Sequence, residues 1–207
     1  MKLHLGCGKK HLPGFINVDI DPANEPDVVA DCFKLYWFGE TWGVCSKSNF
    51  SSPQVCKERP ELIYACHVLE HCGRHEYKAV LKSWFDLLKP GGILRLAVPN
   101  LEMVVAHYNE HYEVSQHGSC LDELLGFFYG GQRNEHDYHK MGWDEATLTR
   151  DLLAAGFSEV RRWDWRTTEH AGVDDYSQSF LPHISQCKNM EEYRKGVLMS
   201  LNIEAVK

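Results

Sequence analysis

Residues 3–8 read Leu-His-Leu-Gly-Cys-Gly, and residues 15–20 read Phe-Ile-Asn-Val-Asp-Ile. The first is a short apolar run broken by two glycines. The second is rich in branched side chains and ends in an acid, as strands of a buried sheet do. Ten residues separate Gly8 from Asp19, and they include Pro13-Gly14. A crossover helix between parallel strands needs more chain than that, so the spacing predicts a turn or loop here. A dinucleotide fingerprint fits poorly. It requires a third glycine, which is missing here, and an acid about 20 residues on, whereas Asp19 arrives well short of that spacing.

Outward from this start, strands and helices alternate. Residues 28–30 form a brief third strand followed by Asp31, and residues 39–60, with Gly, Ser and Pro, read as a long loop. Residues 62–66 form a buried-type strand. A helix over 76–88 places Tyr77, Val80, Leu81, Trp84, Leu87 and Leu88 on one stripe and stops at Lys89-Pro90-Gly91-Gly92. A strand over 93–98 ends at Pro99. Asn100 caps a helix with apolar positions 101, 104, 105, 108 and 112, Ser119 with Asp122 resembles a capping box, and Asp144 caps a helix ending at Gly156. Residues 160–165 and 197–206 read as the two closing strands. The alternation implies a mostly parallel sheet flanked by helices, with ligands at the carboxyl ends of its strands.

Four strand ends carry residues suited to a nucleoside ligand. Gly6-Cys7-Gly8 lets backbone N–H groups approach closely, Asp19 is placed to accept from ribose hydroxyls, Asp31 from an adenine amino group, and Cys66-His67 forms a crevice floor. Each is weak alone, since Gly-x-Gly is often a turn and a strand-end Asp is often a helix cap. Their order gives them weight.

The run LHLGCG, NVDIDP, VVADCFKL, ELIYACHVLEH and LLKPGGILRLAVPN resembles the small class I S-adenosylmethionine-dependent methyltransferases, and is closest to a subgroup associated with surface-glycan synthesis. The segments GWDEATLTRDLLAAGF and SLNIEAVK extend the resemblance over most of the chain. It implies a doubly wound α/β fold: a mostly parallel seven-stranded sheet with an antiparallel last strand. It also implies one domain over residues 1–207, with a helical insertion at about 101–140 on the acceptor side. Leu5, Gly6, Cys7, Gly8 and Lys9 would line the methionine and ribose portion of S-adenosylmethionine. Asp19 would bind the ribose, Ile20 would pack on the adenine, and Asp31 with Cys32 would meet its edge, above Cys66 and His67. The class favours an acid two residues before the first glycine, where this chain has His4. Lys9 or Lys10 is then the candidate partner for the methionine carboxylate.

Methyl transfer from a sulfonium is an in-line displacement governed by orientation, and an oxygen acceptor benefits from a base. His71 and His139 are the candidate bases. His136, Asp137, Tyr138 and Tyr129 are candidate acceptor-binding residues, and residues 174–183 a candidate lid. For any one histidine, capping or bonding a carbonyl is the plainer role. Among the aromatics Phe127, Phe128, Trp143, Trp163 and Trp165, core packing is the plainer role. His67–His71 and His107–His111 both match H-x-x-E-H, which raises a zinc hydrolase as a rival. Short patterns of this kind recur by chance, and no residue is assigned to a metal. A non-catalytic nucleoside-binding module is the rival outside enzymology.

The composition sets the outer limits. A net charge of −7 over 207 residues argues against a nucleic-acid footprint. No run is long enough for a membrane span, and the first residues hold too short an apolar stretch for a signal peptide. A cytoplasmic protein acting on a small-molecule or glycan acceptor is expected, with eight cysteines as free thiols and no Cys-x-x-Cys pair. Cys45 and Cys56 flank a Ser-rich stretch and take no assigned role.

Overall fold

The computed structural model describes residues 1–38, 41–44, 58–111 and 120–207. Cys45, Cys56, Ser119 and the position-112 end of the 101–112 stripe lie outside them. In chain order the strands are β1 (Lys2–Leu5), β2 (Ile16–Asp19), β3 (Val28–Val29), β4 (Leu35–Phe38), β5 (Thr41–Val44), β6 (Leu62–Cys66), β7 (Ile93–Pro99), β8 (Glu159–Arg162), β9 (Phe180–Leu181), β10 (Val197–Leu198) and β11 (Ser200–Val206). The α-helices are α1 (Tyr77–Leu87), α2 (Leu101–His111), α3 (Cys120–Tyr129), α4 (Glu145–Ala155) and the short α5 (Met190–Tyr193).

Seven strands form one sheet in the order β3-β2-β1-β6-β7-β11-β8. β1 pairs in parallel with β2 and β6, β6 with β7, and β2 with β3. β11 inserts antiparallel between β7 and β8, with Ile203 opposite both Leu96 and Arg162. This is the expected mixed sheet with an antiparallel last strand. Every residue of β6 is buried, as a central parallel strand covered on both faces requires.

One face is packed by α1 and α4. The α1 stripe Val80, Leu81, Trp84 and Leu87 meets Leu148 and Leu152 of α4 over Leu3, Leu5, Ile63, Leu94 and Ile203. Asp144 Oδ1 caps α4 by accepting from Thr147 N at 2.7 Å. Gly156, with φ of 117°, ends it by donating to the carbonyls of Leu152 and Leu153. The opposite face is covered by Leu12, Phe15, Tyr64, Cys66, Trp163 and Trp165. β1 and β2 are joined without a helix, as the spacing predicted. The loop instead buries Leu12 and Phe15 and is tied down by Leu12 N donating to Asn17 Oδ1 at 2.9 Å.

Three expectations shift. Residues 41–44 are not loop but strand β5, hairpinned antiparallel on β4, because Leu35 is drawn into the core beside α1 and carries the chain back alongside. Of residues 160–165, only those through Arg162 are strand; Trp165 begins a single 3₁₀ turn capped by Asp164. The 197–206 segment breaks at Met199, whose N–H donates to Ser179 O, so β10 pairs with β9 instead of the main sheet.

Candidate active site

From β1 the chain runs outward to β2 and β3, then returns to place β6 on the other side of β1 and continues outward to β7. Strand order therefore reverses between β1 and β6. Loops leaving a parallel sheet at such a point diverge and leave a crevice. A cavity of about 690 Å³ opens there, lined by Gly6 after β1, Asp19 and Ile20 at the end of β2, Asp31 and Cys32 after β3, and His67 after β6. That volume lies within the range of small-molecule sites.

Asp19 is buried and held rigidly. Its Oδ2 accepts from Gly8 N at 2.7 Å, and Oδ1 accepts from Asp21 N at 2.8 Å and Asn24 Nδ2 at 3.1 Å. A carboxylate offers about four lone-pair positions, so roughly one remains for a ligand donor. Gly6 has φ of 62°, and a Cβ there would stand 2.4 Å from Val68 Cγ2. Only glycine fits this position where β1 turns into the cavity. Asp31 Oδ1 accepts from Phe33 N at 3.0 Å while Oδ2 pairs with Lys34 at 2.5 Å.

The remaining expected cofactor residues, Leu5, Cys7, Gly8, Lys9 and Cys66, are not among the residues that line the cavity. Leu5 is fully buried, and Cys7 is 3% exposed, its thiol pushed up to about 12 by burial and then by Asp19. Gly8 contributes its N–H to Asp19, and Lys9 is exposed away from the cavity lining. Cys66 packs on the opposite face with Tyr64 and Trp163, where burial raises its thiol pKa. His4 also points to that face. It stacks on Tyr64 at 5.3 Å between ring centroids, and its Nδ1 lies 3.1 Å from Asn17 Oδ1.

Among the acceptor-side candidates, His71 and His136 line the cavity. The rings of His71 and His139 meet edge-on with centroids 4.9 Å apart. Each is anchored through Nδ1 to a main-chain carbonyl, His71 to Tyr138 at 3.1 Å and His139 to Phe127 at 2.9 Å. Burial holds the His71 pKa below its ordinary value, so its imidazole is neutral at pH 7. Tyr138 thus contributes its carbonyl, its ring being 43% exposed. Asp137 pairs with Arg133 at 2.7 Å, which chiefly lowers its carboxyl pKa. Tyr129 is exposed and accepts from His139 N through its carbonyl. In the 174–183 segment, Asp175 accepts from Tyr64 OH at 2.6 Å below the sheet, while the Tyr176 ring comes within 5.4 Å of His67.

Of the two H-x-x-E-H matches, only His107 and His111 share a helix face. His67 has φ of 52° and precedes a single 3₁₀ turn over Leu69–His71, so His67 and His71 are not one helical turn apart. His67 instead has Nε2 3.2 Å from Ser200 Oγ and Nδ1 3.2 Å from Glu70 Oε1. His107 and His111 stack at 4.3 Å on α2. Sequence reading passed over Val68, Tyr36 and Lys140 in the cavity wall and Glu70 behind it. Only Glu70 had a signal, as the acid inside His-Val-Leu-Glu-His.

A methyltransferase-domain family model matches residues 3–161. The chain belongs to this methyltransferase family. No curated protein matches it. Solved structures share the methyltransferase's fold across its full length. One is described as a SAM-dependent methyltransferase from Archaeoglobus fulgidus, with TM-score 0.51, 16% identity and coverage of 100% of this chain and 85% of that one. Another, a SAM-dependent methyltransferase and possible histamine N-methyltransferase from Thermotoga maritima, gives 0.52 and 13%, covering 100% and 81%. A possible exported protein from Bordetella parapertussis gives 0.52 and 14%; it covers 100% of this methyltransferase, which spans only 61% of that chain. At these identities the common feature is the fold. Among the described residues, no helix of the methyltransferase is long and apolar enough to cross a membrane.

Proposed function

We propose that this methyltransferase uses S-adenosylmethionine and delivers its methyl group to a hydroxyl of a small-molecule acceptor, a sugar or glycan intermediate, in the cytoplasm. The observation that carries the reading is one continuous cavity in which Gly6, Asp19, Asp31 and His67 share walls with His71. The donor set suits a nucleoside. Asp19 keeps a lone-pair position for a ribose hydroxyl, Ile20 is 39% exposed beside it as an apolar surface for a base, and Gly6 leaves room where any side chain would intrude. Bound there, S-adenosylmethionine supplies an electrophilic methyl group. The protein's part is to hold donor and acceptor in line and exclude water. His71 and His139 stand on the acceptor side, positioned to act on the hydroxyl proton. The sugar class is supported by the sequence resemblance alone.

Calorimetric titration with S-adenosylmethionine tests the cofactor. Wild type binds, and Asp19→Ala loses binding by more than about tenfold. Equal affinity in the two would remove the reading. Methyl uptake screened over sugar acceptors tests the second half. His71→Ala and His139→Ala are expected to keep cofactor binding and lose turnover, and full turnover in both would dismiss them as acceptor-side groups.

A further inference from the structure

Glu70, His71 and His139 converge beside the cavity, which His71 lines, one ligand atom from each lying within 4.8 Å of the other two. Two observations separate this cluster from an ordinary hydrogen-bonded group. Glu70 is fully buried, and neither of its carboxylate oxygens has a hydrogen-bond partner. Against the raising effect of burial, His67 Nδ1, the nearest donor at 3.2 Å from Oε1, lowers the Glu70 pKa, while Oε2 faces no donor. A carboxylate removed from water with a single side-chain donor at its edge is costly to keep, and a cation offsets that cost.

The second observation concerns the rings. His71 Nδ1 faces Tyr138 O and His139 Nδ1 faces Phe127 O. A carbonyl only accepts, so in each ring Nδ1 carries a proton, and in the neutral form Nε2 carries the lone pair. His139 Nε2 then points that lone pair at Glu70 Oε1 from 3.9 Å. In that neutral form two acceptors face each other, and a cation between them satisfies both. Ligating histidines are oriented in this way, by handing the other ring nitrogen to a backbone carbonyl. The main chain holds the arrangement together, since Lys140 N and Met141 N both donate to Glu70 O, at 2.7 and 3.2 Å.

We propose that Glu70, His71 and His139 form a binding site for a divalent first-row transition-metal ion, through one carboxylate oxygen and Nε2 of each histidine. Two imidazole nitrogens with one carboxylate suit zinc, iron, cobalt or manganese better than magnesium or calcium, which prefer all-oxygen sites. Ligand atoms about 2.1 Å from a shared ion in tetrahedral array lie roughly 3.4 Å apart. The ligand atoms, now within 4.8 Å of one another, would draw together by side-chain rotation on binding the ion. Because His71 lines the cavity, the ion's remaining position opens on the acceptor side. The metal site stands independently of methyl transfer. Its catalytic consequence rests on the function proposed above: the two histidines would hold the ion, which would lower the pKa of a bound acceptor hydroxyl so that its proton passes to solvent water as the oxygen takes the methyl group, and would not act as direct bases.

The test is titration of the chelator-stripped full chain with Co²⁺, followed by visible absorption and calorimetry, without cofactor or acceptor. One ion should bind, with d–d bands and no thiolate charge-transfer band. His71→Ala and His139→Ala should each weaken it by more than about tenfold, as should Glu70→Gln if its circular dichroism is native. His75→Ala, altering a cavity-lining histidine outside the cluster, should bind as wild type does. Absence of binding, a thiolate band, or unchanged affinity in both histidine variants would overturn the proposal. Loss of S-adenosylmethionine binding in the wild-type titration would instead strike the functional reading and leave the cobalt result standing.

Discussion

Replacing His4 with Asn should flatten the acid side of the stability profile. His4 is 3% exposed, in the middle of β1, against Tyr64 and Phe15. Burial, the dominant influence, lowers its pKa from 6.5 to about 4. The Asn17 hydrogen bond and the Asp175 charge oppose this, and His170 and His11 add to it. The unfolded chain therefore takes up the proton first. Stability is intact above about pH 6.5, declines as pH falls through that value, and the loss saturates near pH 4. At about 1.4 kcal/mol per pH unit, the full penalty is on the order of 3 kcal/mol, with about 2 kcal/mol of it present at pH 5. Asn keeps an amide donor toward Asn17 and cannot ionise. Urea unfolding followed by tryptophan fluorescence at pH 7.5 and 5 gives the comparison. His4→Asn costs some stability at both pH values through lost ring packing, but its loss between them should be smaller than wild type's by about 2 kcal/mol. Other groups, such as His170, titrate in both proteins and cancel. An identical pH difference in the two proteins would refute the reasoning.

Other changes probe the cavity and the core. Gly6→Ala places a methyl group 2.4 Å from Val68 Cγ2 at φ of 62°. It should cost about 1–3 kcal/mol of stability and weaken S-adenosylmethionine binding more than about tenfold. Adding Val68→Ala should recover part of the loss, and no recovery would mean that packing is not the cause. Trp84→Ala empties a fully buried site and orphans the Cys32 carbonyl, which Trp84 Nε1 contacts at 2.9 Å. About 3–5 kcal/mol should be lost in urea unfolding, and a loss below about 1 kcal/mol would contradict the packing described. Asp144→Ala removes the α4 cap and should cost about 1 kcal/mol, read as a melting temperature lower by about 2–4 °C. An unchanged melting temperature would show that the Thr147 contact carries no stability.

Period and punctuation alone determined much of this protein. An apolar run without alternation marked β6 as a buried strand, the stripe through Trp84 marked α1, and the distance from Gly8 to Asp19 ruled out a first crossover helix. These are local facts, set by chain length and by which side chains avoid water. The cavity-lining residues were legible because a parallel sheet puts the ends of its strands at one edge, so Gly6, Asp19, Asp31 and His67 could be read one strand at a time. Tertiary structure alone decided what depends on direction. It turned His4 and Cys66 to the far face, because successive residues on a strand point to opposite sides and the partner layer chooses between them. It placed Glu70 against His139, residues far apart in sequence, through backbone bonds from Lys140 and Met141. Sequence spacing fixes which residues can share an element. Which lone pairs end up facing one another is fixed only when the elements pack.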